Sequence, residues 1–381
     1  MLKGKTVLLG VTGSIAVYKI CNLARMLTKL GCEVHVAMTP NSVNFVNPLT
    51  FETLTQHKCL IDTFDRNFEY SVEHVSIAKK ADLVMIAPAS ANVIGKIANG
   101  IADDMLTTTI MACTCKKIIA PAMNHNMLHN PIVQNNISKL KKFDYEIVEP
   151  ATGMLANRDI GDGKLTSEET LLEYIIREIA FEKDLLGKKV LVTAGATRES
   201  LDPVRFITNH SSGKMGFALA KAAMLRGADV TIVAAHTDVE APPFVNTIHV
   251  KSAEDMFIAV KERLDESDII LKAAAVSDYT PITVYDSKIK KSEDNMNISL
   301  KKTTDILKYI GKNKRKGQIV CGFSMETDNV IENSKKKLLS KNADMICANS
   351  LVKKGSGFGT DTNIITIITP EHTEELKIMS K

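Results

Sequence analysis

None of the chain's seven cysteines is spaced C-x-x-C, which argues against both a disulfide framework and an ordinary zinc knuckle. Cys113 and Cys115 stand too close for the knuckle pattern, and reduced thiols in a cytoplasmic protein are expected. No H-E-x-x-H, EF-hand loop or Ser/His/Asp set is legible along the 381 residues, so zinc-protease, calcium-loop and triad chemistry have no motif to stand on. No apolar run is long enough to span a bilayer. Met1 to Val11 reads as a basic turn entering a buried strand without a cleavage site, so no secretory leader is expected. A formal net charge of +4 is too small to point to nucleic acid.

What is present is ordinary for a soluble globular protein, 45% hydrophobic and 24% charged. The length suits two domains, each with its own core. Thr6 to Val11 is a β-branched and leucine run, followed by Thr12-Gly13-Ser14, a helical period over Ile15 to Leu30 and an alternating strand over Glu33 to Met38. That is a βαβ unit with its ligand loop at the carboxyl end of the first strand. The loop lacks G-x-G-x-x-G spacing, and the second strand ends in Thr39 rather than an acid, so a dinucleotide is disfavoured. One reading is a mononucleotide phosphate held by Gly13 and Ser14 with Thr39 nearby; the other is a plain glycine turn.

Two more strands, Ala81 to Ala87 and Lys117 to Ala120, run into Pro88-Ala89-Ser90-Ala91-Asn92 and Pro121-Ala122-Met123-Asn124. Open α/β sheets keep ligands at such strand ends. A helical stretch is expected over Val93 to Asp104, a glycine-rich loop and candidate lid over Thr152 to Lys164, and a helix capped by Ser167. His74 precedes a helix over Val75 to Lys80, where a histidine is more often a solvated cap than a base.

The opening pattern then restarts. Leu186-Gly187-Lys188-Lys189-Val190-Leu191 echoes the residues that lead into the first strand, which divides the chain into residues 1–184 and 185–381. The second unit reads as a strand over Val190 to Thr193, a long polar loop over Gly195 to Asn209, a helix over Lys214 to Gly227 and a strand over Asp229 to Ala234. Further strands are expected at Asp268 to Ala275, Gln318 to Phe323 and Met345 to Ala348, with Asn363 to Ile368 at an edge. The charged stretch Lys288-Ile289-Lys290-Lys291, with an alternating run beyond it, suggests a strand pair or flap.

Asn209-His210-Ser211-Ser212-Gly213-Lys214-Met215-Gly216 has the small hydroxyls, glycines and lysine of an anion site at a helix start. It is not a Walker A loop, because Met215 follows Gly213-Lys214 where Ser or Thr is needed. The competing reading is that Asn209 and Ser211 cap the helix while the glycines permit close packing. Lys337 and Lys341 share a helix face and could reach a polyphosphate, although a solvated lysine face explains them equally.

Taken in order, these motifs resemble the bacterial bifunctional flavoprotein of coenzyme A synthesis, a phosphopantothenoylcysteine decarboxylase fused to a phosphopantothenate–cysteine ligase. Pro88 to Asn92 resembles that family's PASANT motif and Pro121 to Met127 its P-x-M-N-x-x-M motif. Asp202-Pro203-Val204-Arg205 through Gly216 resembles its ligase signature, and Ala274 to Tyr279, Lys288 to Lys291 and Gly322-Phe323 fall in the same order.

The resemblance implies two Rossmann-like α/β domains with mainly parallel sheets, the first flavodoxin-like. It implies FMN held by Gly13, Ser14, Thr39, Ser90 and Asn92, with His74 as catalytic base and Asn124 on the substrate carboxylate. It implies CTP, with magnesium, held by Lys272, Ala273, Ala274, Asp278, Lys288, Thr304, Asp305, Ile306, Leu307, Phe323, Lys337 and Lys341. Asn209 would orient an acyl-cytidylate and Lys288 would assist the cysteine step. The implied substrates are 4'-phosphopantothenate, cysteine, CTP and phosphopantothenoylcysteine. The implied assembly is a homo-oligomer, trimeric in the flavin half and dimeric in the ligase half, hence a dodecamer. Three positions depart from the pattern. Asn157 stands where the family lid carries a proton-donating cysteine, Thr304 stands where it carries proline, and the family's usual last helix is not reached. Because an amide cannot serve as that acid, a ligase with an impaired flavin half, or a flavin-fold regulatory protein, are the alternatives.

Overall fold

In the computed structural model, residues 1–64, 73–154, 160–290, 296–326, 328–350 and 360–381 are described. The chain divides into two units, Met1–Phe181 and Glu182–Lys381.

The first unit begins with β1 (Thr6–Val11), α1 (Val17–Lys29) and β2 (Glu33–Met38). It continues through α2 (Pro48–Thr55), α3 (Glu73–Lys80), β3 (Leu83–Ala89), α4 (Ala91–Ala98), α5 (Met105–Ala112), β4 (Lys116–Pro121), α6 (His125–Leu128), α7 (Pro131–Lys142) and β5 (Glu146–Ile147). It closes with β6 (Ala151–Met154), β7 (Ile160–Lys164) and α8 (Glu168–Ile179). The main strands form one parallel sheet in the order β2-β1-β3-β4-β5. Every residue of β1 and β3 is buried, as required of parallel strands covered on both faces. Leu8, Val84, Ile86 and Ile119 of the sheet pack against Val93, Ile94, Leu106 and Ile110 of the helices.

Two expectations change here. The helix expected over Val93 to Asp104 is shorter, Ala91–Ala98, and a second, unexpected helix begins at Met105. The first stops at Ala98, and Asp104 caps the second through a reciprocal box with Thr107. The glycine-rich loop is instead a β6–β7 antiparallel hairpin, whose glycines leave no apolar alternation to read.

The second unit runs β8 (Lys189–Ala194), β9 (Arg198–Ser200), β10 (Phe206–Thr208), α9 (Lys214–Leu225), β11 (Asp229–Ala234), β12 (Asn246–His249), α10 (Ala253–Arg263) and β13 (Ile269–Lys272). It continues β14 (Tyr279–Pro281), β15 (Leu300–Lys302), α11 (Ile306–Asn313), β16 (Ile319–Glu326), α12 (Val330–Ser340) and β17 (Met345–Ser350). The last elements are β18 (Thr362–Asn363), β19 (Ile365–Ile368), β20 (Thr373–Glu375) and β21 (Met379–Ser380). The eight-stranded sheet has the order β12-β11-β8-β13-β16-β17-β19-β20. It is parallel from β12 to β17, and β19 and β20 add antiparallel. Leu191, Val233, Ile270, Val320 and Ile346 form its core with Met256, Val260, Leu307 and Ile310.

The strand near Asn363 to Ile368 is therefore internal, because the short polar β20 takes the edge. The loop over Gly195 to Asn209 contains the β9–β10 hairpin. The expected flap contains an antiparallel pair, β14 with β15, whereas Lys291 lies outside the described residues.

Candidate active sites in the two units

In the first unit the loops after β1, β3 and β4 open into one cleft of about 560 Å³. Gly13, Ser14, Ser90, Asn124 and Met127 line it, joined by Met154, Gly163 and Lys164 of the hairpin. The loops are cross-braced. Thr12 Oγ1 donates to the Pro88 carbonyl at 2.6 Å and accepts from the Ser90 N–H at 2.9 Å. Ser90 also caps α4 by accepting from Val93 N–H, so its hydroxyl sits at a positive helix end. Thr39 follows β2, and its N–H donates to the Val11 carbonyl at 3.0 Å. The Thr39 hydroxyl is buried and has no hydrogen-bond partner among the described residues. Such an orphan is uncommon in a finished interior and is suited to a ligand acceptor.

Asn124 caps α6, its side-chain oxygen accepting from Asn126 N–H at 2.9 Å. Asn92 is exposed in the first turn of α4, and His74 is partly buried in the first turn of α3. Neither of these two, nor Thr39, lines the cleft. Asn157 lies outside the described residues. Sequence reasoning missed Tyr18 and Lys19, which line the cleft from α1. Lys19 donates to the Leu165 carbonyl at 3.3 Å, and an exposed tyrosine early in an amphipathic helix was the available signal.

In the second unit α9 starts at Gly213, whose φ of +80° favours glycine. No side chain among the described residues caps this helix. The capping expected of Asn209 and Ser211 is therefore corrected. Ser211 Oγ accepts from Gly213 N–H, ahead of the helix, and Asn209 Nδ2 donates to the Ala275 carbonyl at 3.3 Å. The first-turn N–H groups thus keep their character as an anion site. Lys214 is paired with Asp361 at 2.6 Å.

Three ammonium groups converge at the carboxyl ends of β13 and β16. Lys272 donates to the Ala274 carbonyl at 3.2 Å, and Lys337 to the Phe323 carbonyl at 2.9 Å. Lys341 pairs with the Asp305 carboxylate, which also caps α11. Burial, then the neighbouring Lys337 charge, depresses Lys272 to about 8, against the pull of Asp305 and Asp278. Ala273 and Ala274 bind back to Thr193 of β8. Thr304 and Asp278 are exposed, whereas Ile306 and Leu307 are core residues, leaving only their backbone for a ligand.

Lys288 is exposed, but its segment is clamped. The buried Asp202 carboxylate accepts from Ile289 N–H at 3.1 Å and from the Arg205 guanidinium at 2.6 Å. Arg205 in turn donates to the Ile289 carbonyl at 3.1 Å. The Arg205 bond, followed by backbone N–H groups, holds the Asp202 carboxyl well below the usual carboxylate range. The sequence displayed Asp202 and Arg205 without showing what they hold, because the contact spans more than eighty residues.

Comparison with known proteins follows the same division. Residues 1–180 match a flavoprotein family model. Residues 185–381 match the model for the DNA/pantothenate metabolism flavoprotein C-terminal domain. The Coenzyme A biosynthesis bifunctional protein CoaBC of Bacillus subtilis is 48% identical over 385 residues, covering 100% of this chain and 95% of its own. The protein of the same name from Borreliella burgdorferi is 42% identical, with 100% and 97% covered. A crystal structure of the C-terminal domain of such a protein is 43% identical, covers 51% of this chain and 87% of its own, and gives a TM-score of 0.44.

Proposed function

The chain belongs to the family of bifunctional coenzyme A biosynthesis proteins, and from that premise we propose a function for each unit. The second unit ligates cysteine to 4'-phosphopantothenate at the expense of CTP. The first is an FMN-dependent decarboxylase of the resulting phosphopantothenoylcysteine.

The observation that carries the ligase reading is the convergence of Lys272, Lys337 and Lys341, which leaves Lys272 short of negative charge. A bound triphosphate supplies it. The substrate carboxylate attacks the α-phosphorus, the bond to pyrophosphate breaks, and an acyl-cytidylate forms. Charge neutralisation by the three lysines and the N-terminus of α9 is what this transfer needs most. Magnesium accompanies the triphosphate. Asn209, fixed on Ala275, orients the acyl-cytidylate. The cysteine amine then attacks the acyl carbon and CMP leaves, with Lys288 assisting from its clamped segment.

In the first unit, the orphaned Thr39 hydroxyl and the Gly13-Ser14 turn opposite the Ser90 cap fit a phosphorylated flavin. When bound, FMN supplies reversible two-electron chemistry at the cysteinyl carbon–sulfur bond. Gly13, Ser14 and Ser90 would hold it together with Thr39 and Asn92, Asn124 would bind the substrate carboxylate, and His74 would take the proton; Asn92 and His74, which do not line this cleft, would act across the contact between copies in the proposed trimer. A second reading rests on Asn157: this half turns over slowly, or releases an oxidised ene-thiol, because an amide cannot return the last proton.

The test is pyrophosphate release from CTP with phosphopantothenate and cysteine, followed by product mass analysis. CTP-dependent release and a phosphopantothenoylcysteine product are expected, and failure of both defeats the ligase reading. Supplied phosphopantothenoylcysteine then separates the two flavin readings, since multiple turnover to phosphopantetheine rejects the impaired one. We propose the trimer and dimer contacts of a dodecamer as the assembly, checked by light scattering. Among the described residues no helix is long and apolar enough to cross a membrane.

A further inference from the structure

The β6–β7 hairpin is fastened to α6 by a group of side chains for which the reactions above have no use. His125 and His129 lie four residues apart, and His129 N–H donates to the His125 carbonyl at 3.0 Å, so both rings project from one side of the turn. Their rings stand 4.5 Å apart, tilted by 53°. Asp162, in the middle of β7, meets both. Its carboxylate contacts His125 Nδ1 closely and lies 2.8 and 2.9 Å from His129 Nε2. One ligand atom from each of the three residues falls within 4.8 Å of the others.

The backbone keeps the hairpin strand at this distance. Met123 N–H donates to the Gly163 carbonyl at 3.0 Å. A Cβ at Gly163 would lie 2.1 Å from the Met123 carbonyl oxygen, and one at Gly161 would lie 3.0 Å from His125 Cβ. Glycine on both sides of Asp162 therefore lets β7 lie flush against 123–125 and present the carboxylate to the two imidazoles.

We propose that His125, His129 and Asp162 form a site for a divalent transition-metal ion of the zinc class, which staples the hairpin strand to α6 beside the cleft. Two imidazole nitrogens and one carboxylate are a ligand set such ions favour, with a further position left for water. Metal–ligand bonds of about 2.0–2.1 Å at tetrahedral angles place ligand atoms roughly 3.3 Å apart. The contacts between His129 Nε2 and the Asp162 carboxylate need to open by about half an ångström to reach that spacing, and the closer His125 contact must open further. Each ring then turns its coordinating nitrogen from donor to acceptor, and the proton moves to the other nitrogen or to solvent.

The contrast within the same unit is informative. Glu33, His35 and His57 also cluster within ligand distance. There the carboxylate already carries the Lys80 ammonium at 2.5 Å, and His35 stacks on His57. Among the described residues no lysine or arginine pairs with Asp162, whose contacts are the two imidazoles.

Equilibrium dialysis of the full-length protein against micromolar zinc, read by elemental analysis, tests the site. Binding at the cysteines is common to all variants and cancels in the difference. Wild type is expected to retain one equivalent more than His129→Ala and one more than Asp162→Asn, and zinc should raise the melting temperature of wild type only. Equal zinc in wild type and Asp162→Asn, a near-isosteric change on the other element, overturns the proposal whatever His129→Ala does. So does zinc-independent melting of the wild type, which would leave the cluster a hydrogen-bonded latch and nothing more.

Discussion

Lys272 is a partly buried ammonium at the end of β13, with the Lys337 ammonium beside it. Its value near 8 is below the ordinary lysine range, so between the two the unfolded chain binds more protons than the folded one. The free protein's stability therefore rises with pH across that window through this group. A triphosphate reverses the preference, because it favours the ammonium. CTP binding at pH 8 to 9 is expected to take up a proton, seen as a dependence of binding heat on buffer ionisation enthalpy. Lys272→Gln should lose that uptake and weaken CTP binding by about ten- to a hundredfold. The sequence shows Lys272 as one lysine among many at the end of an apolar run. Only the fold buries it and brings it beside Lys337, sixty-five positions later, and burial first and that neighbour second depress its charge.

At the level of elements, what was legible followed from physics that acts locally. Thr6–Val11, Glu33–Met38 and Asp229–Ala234 emerge with the bounds read for them, because a continuous apolar run and an alternating one are both local strand signals. Helix α5 was missed because Met105–Ala112 is apolar or threonine on every side and has no stripe to count. The β6–β7 and β9–β10 hairpins and the edge strand β20 were missed because short polar or glycine strands carry no alternation. The hairpin nevertheless forms a wall of the cleft proposed for the flavin, and a prediction belongs to it. Gly163→Ala must separate β7 from Met123 by more than an ångström, costing about 1–3 kcal/mol. Lower melting of the first unit and loss of flavin retention on gel filtration are expected, with CTP-dependent pyrophosphate release unchanged.

The whole molecule repeats one device. Two mainly parallel sheets, each with its own core, offer loops at their strand carboxyl ends where most of the proposed site residues lie, and the echo of the opening residues near position 186 made that repetition readable. A polypeptide of residues 182–381 is accordingly expected to fold alone and to release pyrophosphate from CTP, measured by a coupled phosphate assay. The three converging lysines have one more consequence, for turnover in salt. A cluster that gathers ammonium groups around a triphosphate holds its diphosphate product by the same means. Product departure then becomes the slow event at low ionic strength. Raising potassium chloride from low to physiological levels should increase kcat while it also raises the KM for CTP, and added pyrophosphate should inhibit most where salt is lowest.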